Sequence, residues 1–145
     1  MALTGDTGNG ASLTLALFDG TVAITAALDV IEITPGAITV APVDVSTLAS
    51  SGNEETIPTD LAALAESSAT FKWLTAGTKP TLPSAAGTCT VTYPLRTGET
   101  TAATITGTGF LTNLTPPTLA NGQLQVGSVS WKWDGDTGPS FTAST

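Results

Sequence analysis

Residues 88–134 read TCTVTYPLRTGETTAATITGTGFLTNLTPPTLANGQLQVGSVSWKWD. Apolar and polar side chains alternate along most of this stretch, and side chains with a period of two lie on opposite faces of a β-strand. The stretch ends at Trp131-Lys132-Trp133-Asp134 and contains no histidine and a single cysteine, Cys89. It predicts strands that act through their surfaces rather than through reactive side chains.

The composition of the whole chain favours the same fold class. The chain has 145 residues, which fits one domain, and 29 of them are threonine. Threonine is β-branched, so it suits strands and is a poor helix former. An all-β or mostly-β domain follows.

The alternation extends toward the N-terminus. Leu13, Leu15 and Leu17 alternate with the small residues Ser12, Thr14 and Ala16. Asp19-Gly20 separates them from a second alternating run, which is a strong hairpin signal. The parity of this second run shifts at Val30-Ile31, which predicts a β-bulge or a strand covered on both faces. A further strand is predicted over 37–45, and Pro42 makes it an edge strand or breaks it.

Two other local predictions follow from turn and cap residues. Thr59-Asp60 can cap a short helix over Leu61–Glu66, which would have to pack on the sheet because it is too short to stand alone. Leu124 and Val126 switch parity to Val129, and the switch at Gly127-Ser128 predicts a second β-bulge.

About seven strands and one helix with short turns predict a mostly-β protein, a two-sheet β-sandwich with one short flanking helix. The Gly-rich residues 1–10 are predicted to form a flexible N-terminal arm. Residues 11–134 form the sandwich domain, and residues 135–145 a loose C-terminal arm.

The charge balance excludes several partners. Twelve acids and four bases give a net charge of −8. Nucleic-acid binding and binding to an anionic membrane both need clustered Lys and Arg, so neither is expected. No apolar run is long enough for a membrane span, and no signal-peptide pattern is visible, so we expect a protein made in a cytoplasm that stays or assembles there.

Reactive chemistry is sparse. Without histidine there is no His-based triad or His metal site, and Cys89 has no histidine partner. We therefore expect no catalytic residues, no cofactor and no metal site. Pairs of acids remain as candidates for a small hydrolase, and solvated surface acids are the simpler interpretation. The pairs are Glu54 with Glu55, Asp29 with Glu32, and Asp134 with Asp136.

Trp131 and Trp133 share one face of a strand and could stack on a sugar. Such aromatic residues are more often packing or interface anchors, and that is the role predicted for both.

Several segments, taken in order, resemble a known family. They are residues 31–36 (IEITPG), 43–48 (VDVSTL), 56–58 (TIP), 88–95, 101–111 and 123–134. Their order resembles the major tail tube proteins of long-tailed bacteriophages with non-contractile tails, the siphovirus type. The resemblance covers roughly residues 10–134 and rests on turns and strand spacing, with no catalytic signature.

The resemblance implies a structural virion protein of the tail, assembled in the host cytoplasm. Six copies would form a ring, rings would stack into a hollow tube, and strands of each subunit would join a β-barrel lining a channel. Genomic DNA would pass through this channel without specific binding. Tape-measure and tail terminator or tip proteins are the implied partners.

An acidic subunit agrees with such a channel, because it would repel the phosphates of DNA. Asp29 and Asp44, which flank Pro35-Gly36, are the predicted lumen-facing acids. The alternative is a binding module, either a capsid decoration protein or a carbohydrate-binding sandwich, which requires Trp131 or Trp133 on the surface.

Overall fold

The computed structural model describes residues 10–19, 22–28, 30–49, 51–73, 82–83 and 85–145. This part of the chain contains twelve strands and no helix, and so no helix that could cross a membrane. The strands are β1 (Ser12–Asp19), β2 (Val22–Leu28), β3 (Val30–Thr34), β4 (Ile38–Thr39), β5 (Pro42–Asp44), β6 (Thr56–Pro58), β7 (Ala63–Leu64), β8 (Ser67–Lys72), β9 (Gly87–Thr92), β10 (Thr104–Thr115), β11 (Val126–Trp133) and β12 (Ser140–Thr142).

Eight strands form the main sheet. Its order is β2-β1-β9-β10-β11-β8-β3, and β12 pairs with the first residues of β10. Strands β2 and β3 are separated by one residue in the chain but lie at opposite ends of this order, so the sheet curls until its two ends approach each other. The mostly-β prediction is confirmed, and the two layers that face each other across the core belong to one curled antiparallel sheet.

The predicted N-terminal hairpin is confirmed. Strand β1 pairs antiparallel with β2, from Leu13 opposite Leu28 to Asp19 opposite Val22. On its other side β1 pairs with β9, where Leu15 lies opposite Cys89.

The core lies inside the curl and is built from alternate residues of five strands. Burying apolar side chains of this size stabilises the fold by roughly 1.5–3 kcal/mol each. The buried apolar side chains are Leu13, Leu15, Ala69, Phe71, Cys89, Val91, Leu111, Val129, Trp131 and Trp133.

The β-bulges differ in part from the prediction. The register of β3 against β8 shifts between Val30 and Glu32, which confirms the first predicted bulge. The bulge predicted at Gly127-Ser128 is wrong, because β11 pairs with β8 without a shift. Gly127 faces the core beneath an aromatic ring, and a Cβ there would lie 2.6 Å from Cε3 of Trp73. The other register shift lies on β10, between Leu111 and Asn113.

Residues 35–66 leave the sheet as a long β-hairpin, here called the hairpin arm. Strand β4 pairs with β7 and β5 pairs with β6, so the strand predicted over 37–45 is broken near Pro42, as expected. The helix predicted over Leu61–Glu66 is wrong. Its backbone continues the hairpin instead: the Ala65 N–H donates to the Ala37 carbonyl at 2.9 Å. Leu61 is exposed, so no apolar face was available to hold a helix against the sheet.

The C-terminal segment is more ordered than its composition predicted. Strand β12 pairs with β10, where Phe141 lies opposite Ile105, and the Ser144 hydroxyl donates to the Glu99 carboxylate at 2.6 Å. Residues 135–145 are therefore not a loose arm. The predicted N-terminal arm lies outside the described residues except for Gly10, and the domain boundaries stay a prediction.

Candidate functional site

Asp44, Glu99 and Asp134 each accept a backbone hydrogen bond within a turn. Asp134 accepts hydrogen bonds from the Thr108 hydroxyl and from the Asp136 N–H. These two bonds, the hydroxyl first, hold the pKa of Asp134 below its ordinary value of 3.8. A carboxyl that stays ionised is a poor proton donor, and no group of three potential metal ligands occurs among the described residues.

Cys89 is buried between β1 and β10. Burial, assisted by the negative charge of Asp134, raises the pKa of its thiol to about 12. The thiol is therefore neutral at ordinary pH and is not a nucleophile.

Trp131 and Trp133 lie inside the core, with 0% and 3% of their surfaces exposed. Their rings pack edge to face at a centroid distance of 6.3 Å. Neither ring is available to stack on a sugar, which removes the feature on which the carbohydrate-binding alternative depended.

Of the two predicted lumen-facing acids, the structure describes one. Asp29 lies outside the described residues. Asp44 is exposed on β5 of the hairpin arm, where it accepts a hydrogen bond from the Ser46 N–H at 2.8 Å. Bonds from the Ser46 side chain and backbone hold the pKa of Asp44 below its ordinary value.

The hairpin arm combines a regular backbone with exposed apolar side chains. Val43 on β5 lies opposite Ile57 on β6, and 42% and 51% of their surfaces are exposed. Val45, two residues beyond Val43, extends the same face, and Leu48 near the tip is fully exposed. These side chains form an apolar strip that nothing in the described part of the chain covers.

The base of the hairpin arm is fixed to the sheet. The buried Ser67 hydroxyl accepts a hydrogen bond from the Gly36 N–H at 2.8 Å. The Thr112 hydroxyl donates to the Glu66 carboxylate at 2.8 Å, and Leu64 packs against the core. The arm is therefore anchored at one end and projects from the sheet at the other.

A projecting two-stranded hairpin with an apolar strip is typical of an interface. Isolated two-stranded hairpins are marginally stable in water, and contiguous exposed apolar side chains mark contact surfaces. The arm carries five acids and no base, so its rim is negatively charged. The acids are Asp44, Glu54, Glu55, Asp60 and Glu66.

A second apolar surface lies where β9 ends and β10 begins, and we call it the aromatic recess. It is an open cavity of about 380 Å³ whose lining includes Tyr93, Ala103 and Phe141. The Tyr93 and Phe141 rings meet edge to face with centroids 6.1 Å apart. Glu99 at its margin accepts hydrogen bonds from Ser144 and from the Arg96 N–H, which hold the pKa of this carboxyl below its ordinary value.

The pairing of the arm into a hairpin and the recess were missed from the sequence. The arm requires residues 42–44 to pair with 56–58 across a polar loop, and the misassigned helix removed the returning strand from consideration. The sequence signal for the arm was the alternation of Val43, Asp44 and Val45, with the apolar residue Ile57 on the far side of the polar loop. The recess was missed because Phe141 was assigned to a loose arm.

Solved structures share this fold. A chain of the cryo-EM structure of an extracellular contractile injection system, the PVC sheath–tube complex in its extended state, aligns with a TM-score of 0.67 and 12% identity. The alignment covers 97% of this chain and 93% of that one. A chain of the PVC sheath/tube terminator in its extended state aligns with a TM-score of 0.66 and 12% identity, over 92% and 96% of the two chains.

A third similar chain comes from the baseplate of the anti-feeding prophage. Its TM-score is 0.66 at 7% identity, and the alignment covers 98% of each chain. At these identities the likeness establishes a common fold over nearly the whole length of each chain. No family model and no curated protein matches the sequence.

Proposed function

We propose that this chain is a structural, non-enzymatic subunit of a phage-like tail, and that it forms the tail tube as rings of six copies stacked on one another. The observation that carries the proposal is the hairpin arm, an anchored and projecting element whose apolar strip of Val43, Val45 and Ile57 is left exposed by the described residues. Such a surface is expected to be buried by another chain.

The likeness of fold supports the same role. The similar chains occur in structures of a tube–sheath complex, a terminator, a baseplate and a cap of contractile injection systems. The sequence resembles tube proteins of non-contractile tails. The proposal therefore includes that the tail is of the siphovirus type. Tape-measure and terminator or tip proteins are the proposed partners, and the proposed location is the tail of a virion assembled in the host cytoplasm.

The proposed cargo of the channel is genomic DNA, which passes without specific binding. The net charge of −8 supports this, because a polyanion is repelled by an acidic subunit and does not adhere to it. Asp29 and Asp44 remain the acids proposed to face the channel. Exchanging both for asparagine should leave assembly intact and slow the release of DNA, and unchanged release would contradict this assignment.

Negative-stain microscopy of the purified protein at high concentration tests the proposal. We expect rings or hollow tubes from the unmodified chain. The double variant Val43→Ser with Ile57→Ser should remain monomeric in light scattering, because it removes the cross-strand pair at the centre of the apolar strip.

The matched control is Leu119→Ser, since Leu119 is also an exposed apolar residue but lies on the connection between β10 and β11. It should assemble like the unmodified chain. Discrete monomers of the unmodified chain at every concentration, or normal assembly of the double variant, would overturn the proposal.

A further inference from the structure

We infer that the hairpin arm of one copy binds in the aromatic recess of the adjacent copy within the same ring. This rests on the proposed function, and it adds the identity of the surface that receives the arm. The occupant to which the inference commits is a second copy of this chain.

The aromatic recess is an end of the hydrophobic core that no described residue caps. Val91 is buried on β9, while Tyr93, two residues later and of the same parity, is 37% exposed. On the neighbouring strands, Ile105 packs against the core and its partner Phe141 is 65% exposed. Apolar side chains of another copy placed here would continue the core, which is the favourable way to remove these rings from water.

The hairpin arm supplies side chains that match the recess. Val43, Val45 and Ile57 are aliphatic and carried on a narrow two-stranded ribbon. Val45 N–H donates to the Glu55 carbonyl at 2.8 Å, and the Glu55 N–H donates to the Ser46 hydroxyl at 2.7 Å, so the ribbon is hydrogen-bonded up to this point. An ordered ribbon loses little further conformational entropy when it binds.

One base lies where the arm would bind. The arm has acids and no base, and the recess is lined in part by Arg96, one of three bases in the described part of the chain, although the carboxylate of Glu99 lines the same recess and offsets part of this charge. Lys72 and Lys132 lie elsewhere, on β8 and β11. Opposite charge at the rim of an apolar contact fixes its orientation and disfavours other pairings.

The positions of the two surfaces favour contact within a ring. The arm extends toward the end of the sheet that carries β12, since a Cβ built on Gly135, in the link between β11 and β12, would lie 3.8 Å from Cδ1 of Leu64. Phe141 of the recess lies on β12 itself, so the base of the arm and the recess lie toward the same end of the sheet. A contact between two different surfaces is heterologous, and heterologous contacts form a ring when the rotation between copies closes.

Cross-linking between engineered cysteines tests the inference. Ile57→Cys places a thiol on the strip of the arm, and Ala103→Cys places one in the lining of the recess. Cys89 is buried and its thiol pKa is raised to about 12, so the unmodified chain gives no background with a short bis-maleimide. The double variant should give a ladder of bands up to the size of the ring, and a mixture of the two single variants should give dimers.

Controls separate this inference from the proposed function. Ile57→Cys with Leu119→Cys should not cross-link in the same assemblies, and each single variant alone should not form dimers. A second test is Ala103→Phe, which fills the recess and should raise the protein concentration needed for assembly by about tenfold, the effect of roughly 1.4 kcal/mol of lost affinity.

If microscopy shows rings or tubes but the 57–103 pair does not cross-link and Ala103→Phe assembles normally, the inference is wrong and the proposed function stands. If no variant and no unmodified protein assembles, the proposed function fails and this inference with it. Cross-links that reach only dimers in the double variant would also overturn the inference, because a contact within a ring must propagate.

Discussion

Strand β11 and the hairpin arm carry the same kind of sequence and have opposite environments. In β11, Val129 and Trp131 alternate with Ser128 and Ser130, and the apolar residues are fully buried. In the arm, Val43 and Val45 alternate with Asp44 and remain about 40% exposed. The difference lies in the neighbours: β11 pairs with strands on both sides and faces a core, whereas β5 pairs with β6 alone among the described strands and its residues are exposed.

A period of two therefore predicts a strand with an apolar face, but not what covers that face. In the sheet the chain covers itself, and for the arm the proposed cover is another copy of the chain. Stability and assembly should accordingly separate, with substitutions in the sheet acting on unfolding and substitutions in the arm acting on association.

The largest expected effect is in the sheet. Trp131→Ala should lower the free energy of unfolding by about 3–5 kcal/mol, because it removes a fully buried ring and leaves a cavity among Trp133 and its neighbours. Urea unfolding followed by circular dichroism measures this. Leu119→Ala, an exposed apolar site, should change the value by less than about 0.5 kcal/mol. Equal effects of the two substitutions would mean that the core is not where the structure places it.

A smaller effect is expected where the sheet is closely packed. Gly127→Ala should cost about 1–3 kcal/mol of unfolding free energy, because the added Cβ would lie 2.6 Å from Cε3 of Trp73 and 3.2 Å from Cζ of Phe71. Ser128→Ala, at the next residue and on the opposite face of β11, is the control and should change little. A neutral or stabilising Gly127→Ala would show that the two rings yield freely.

These two sites also show what the sequence could and could not provide. Alternation placed Leu13, Leu15 and Val129 on strands, and the Asp19-Gly20 signal identified the first hairpin, because both depend on local residues. The parity switch at Gly127 was misinterpreted as a bulge. A glycine at a core-facing position looks like a break in the apolar pattern, and only the rings packed over it explain why the position has little room for a side chain.

The candidate site was harder to predict, for physical reasons. Strand β6 returns to β5 across a long polar loop, so their pairing carries no short-range signal. Thr59-Asp60 before Leu61 resembles a helix cap, yet a helix of this length needs a surface to pack on, and the arm projects away from the sheet. Phe141 appears in a Gly, Ser and Thr-rich segment, and its pairing opposite Ile105 depends on the whole order of the sheet.

A modest effect is expected at the turn that follows β11. Thr108→Val removes the hydroxyl that contributes most to the lowered pKa of Asp134, so this pKa should rise toward its ordinary value of 3.8. A carboxyl with a lowered pKa in the folded state adds stability above its ordinary pKa, and this stability is lost as the pH falls through the folded value. In Thr108→Val the folded pKa lies closer to the ordinary value, so the stability lost on acidification should be smaller and its loss should be complete at a higher pH. Carbon-detected NMR titration of the Asp134 carboxyl measures the shift, and Asp44, which is held by Ser46, should titrate as before.

The smallest effect on unfolding is expected in the arm, and it is the sharpest test of the comparison. Val43→Ser with Ile57→Ser should leave the free energy of unfolding of the monomer within about 1 kcal/mol of the unmodified value, because both side chains are already about half exposed. Val129→Ser, the same change at a fully buried site, should cost several times more, since it places a hydroxyl in the core and removes packed methyl groups. Urea unfolding at a concentration below that of assembly compares the three proteins. If the arm variant unfolds as easily as Val129→Ser, then the apolar strip of the arm is part of the folding core, and its exposure is not the mark of an interface.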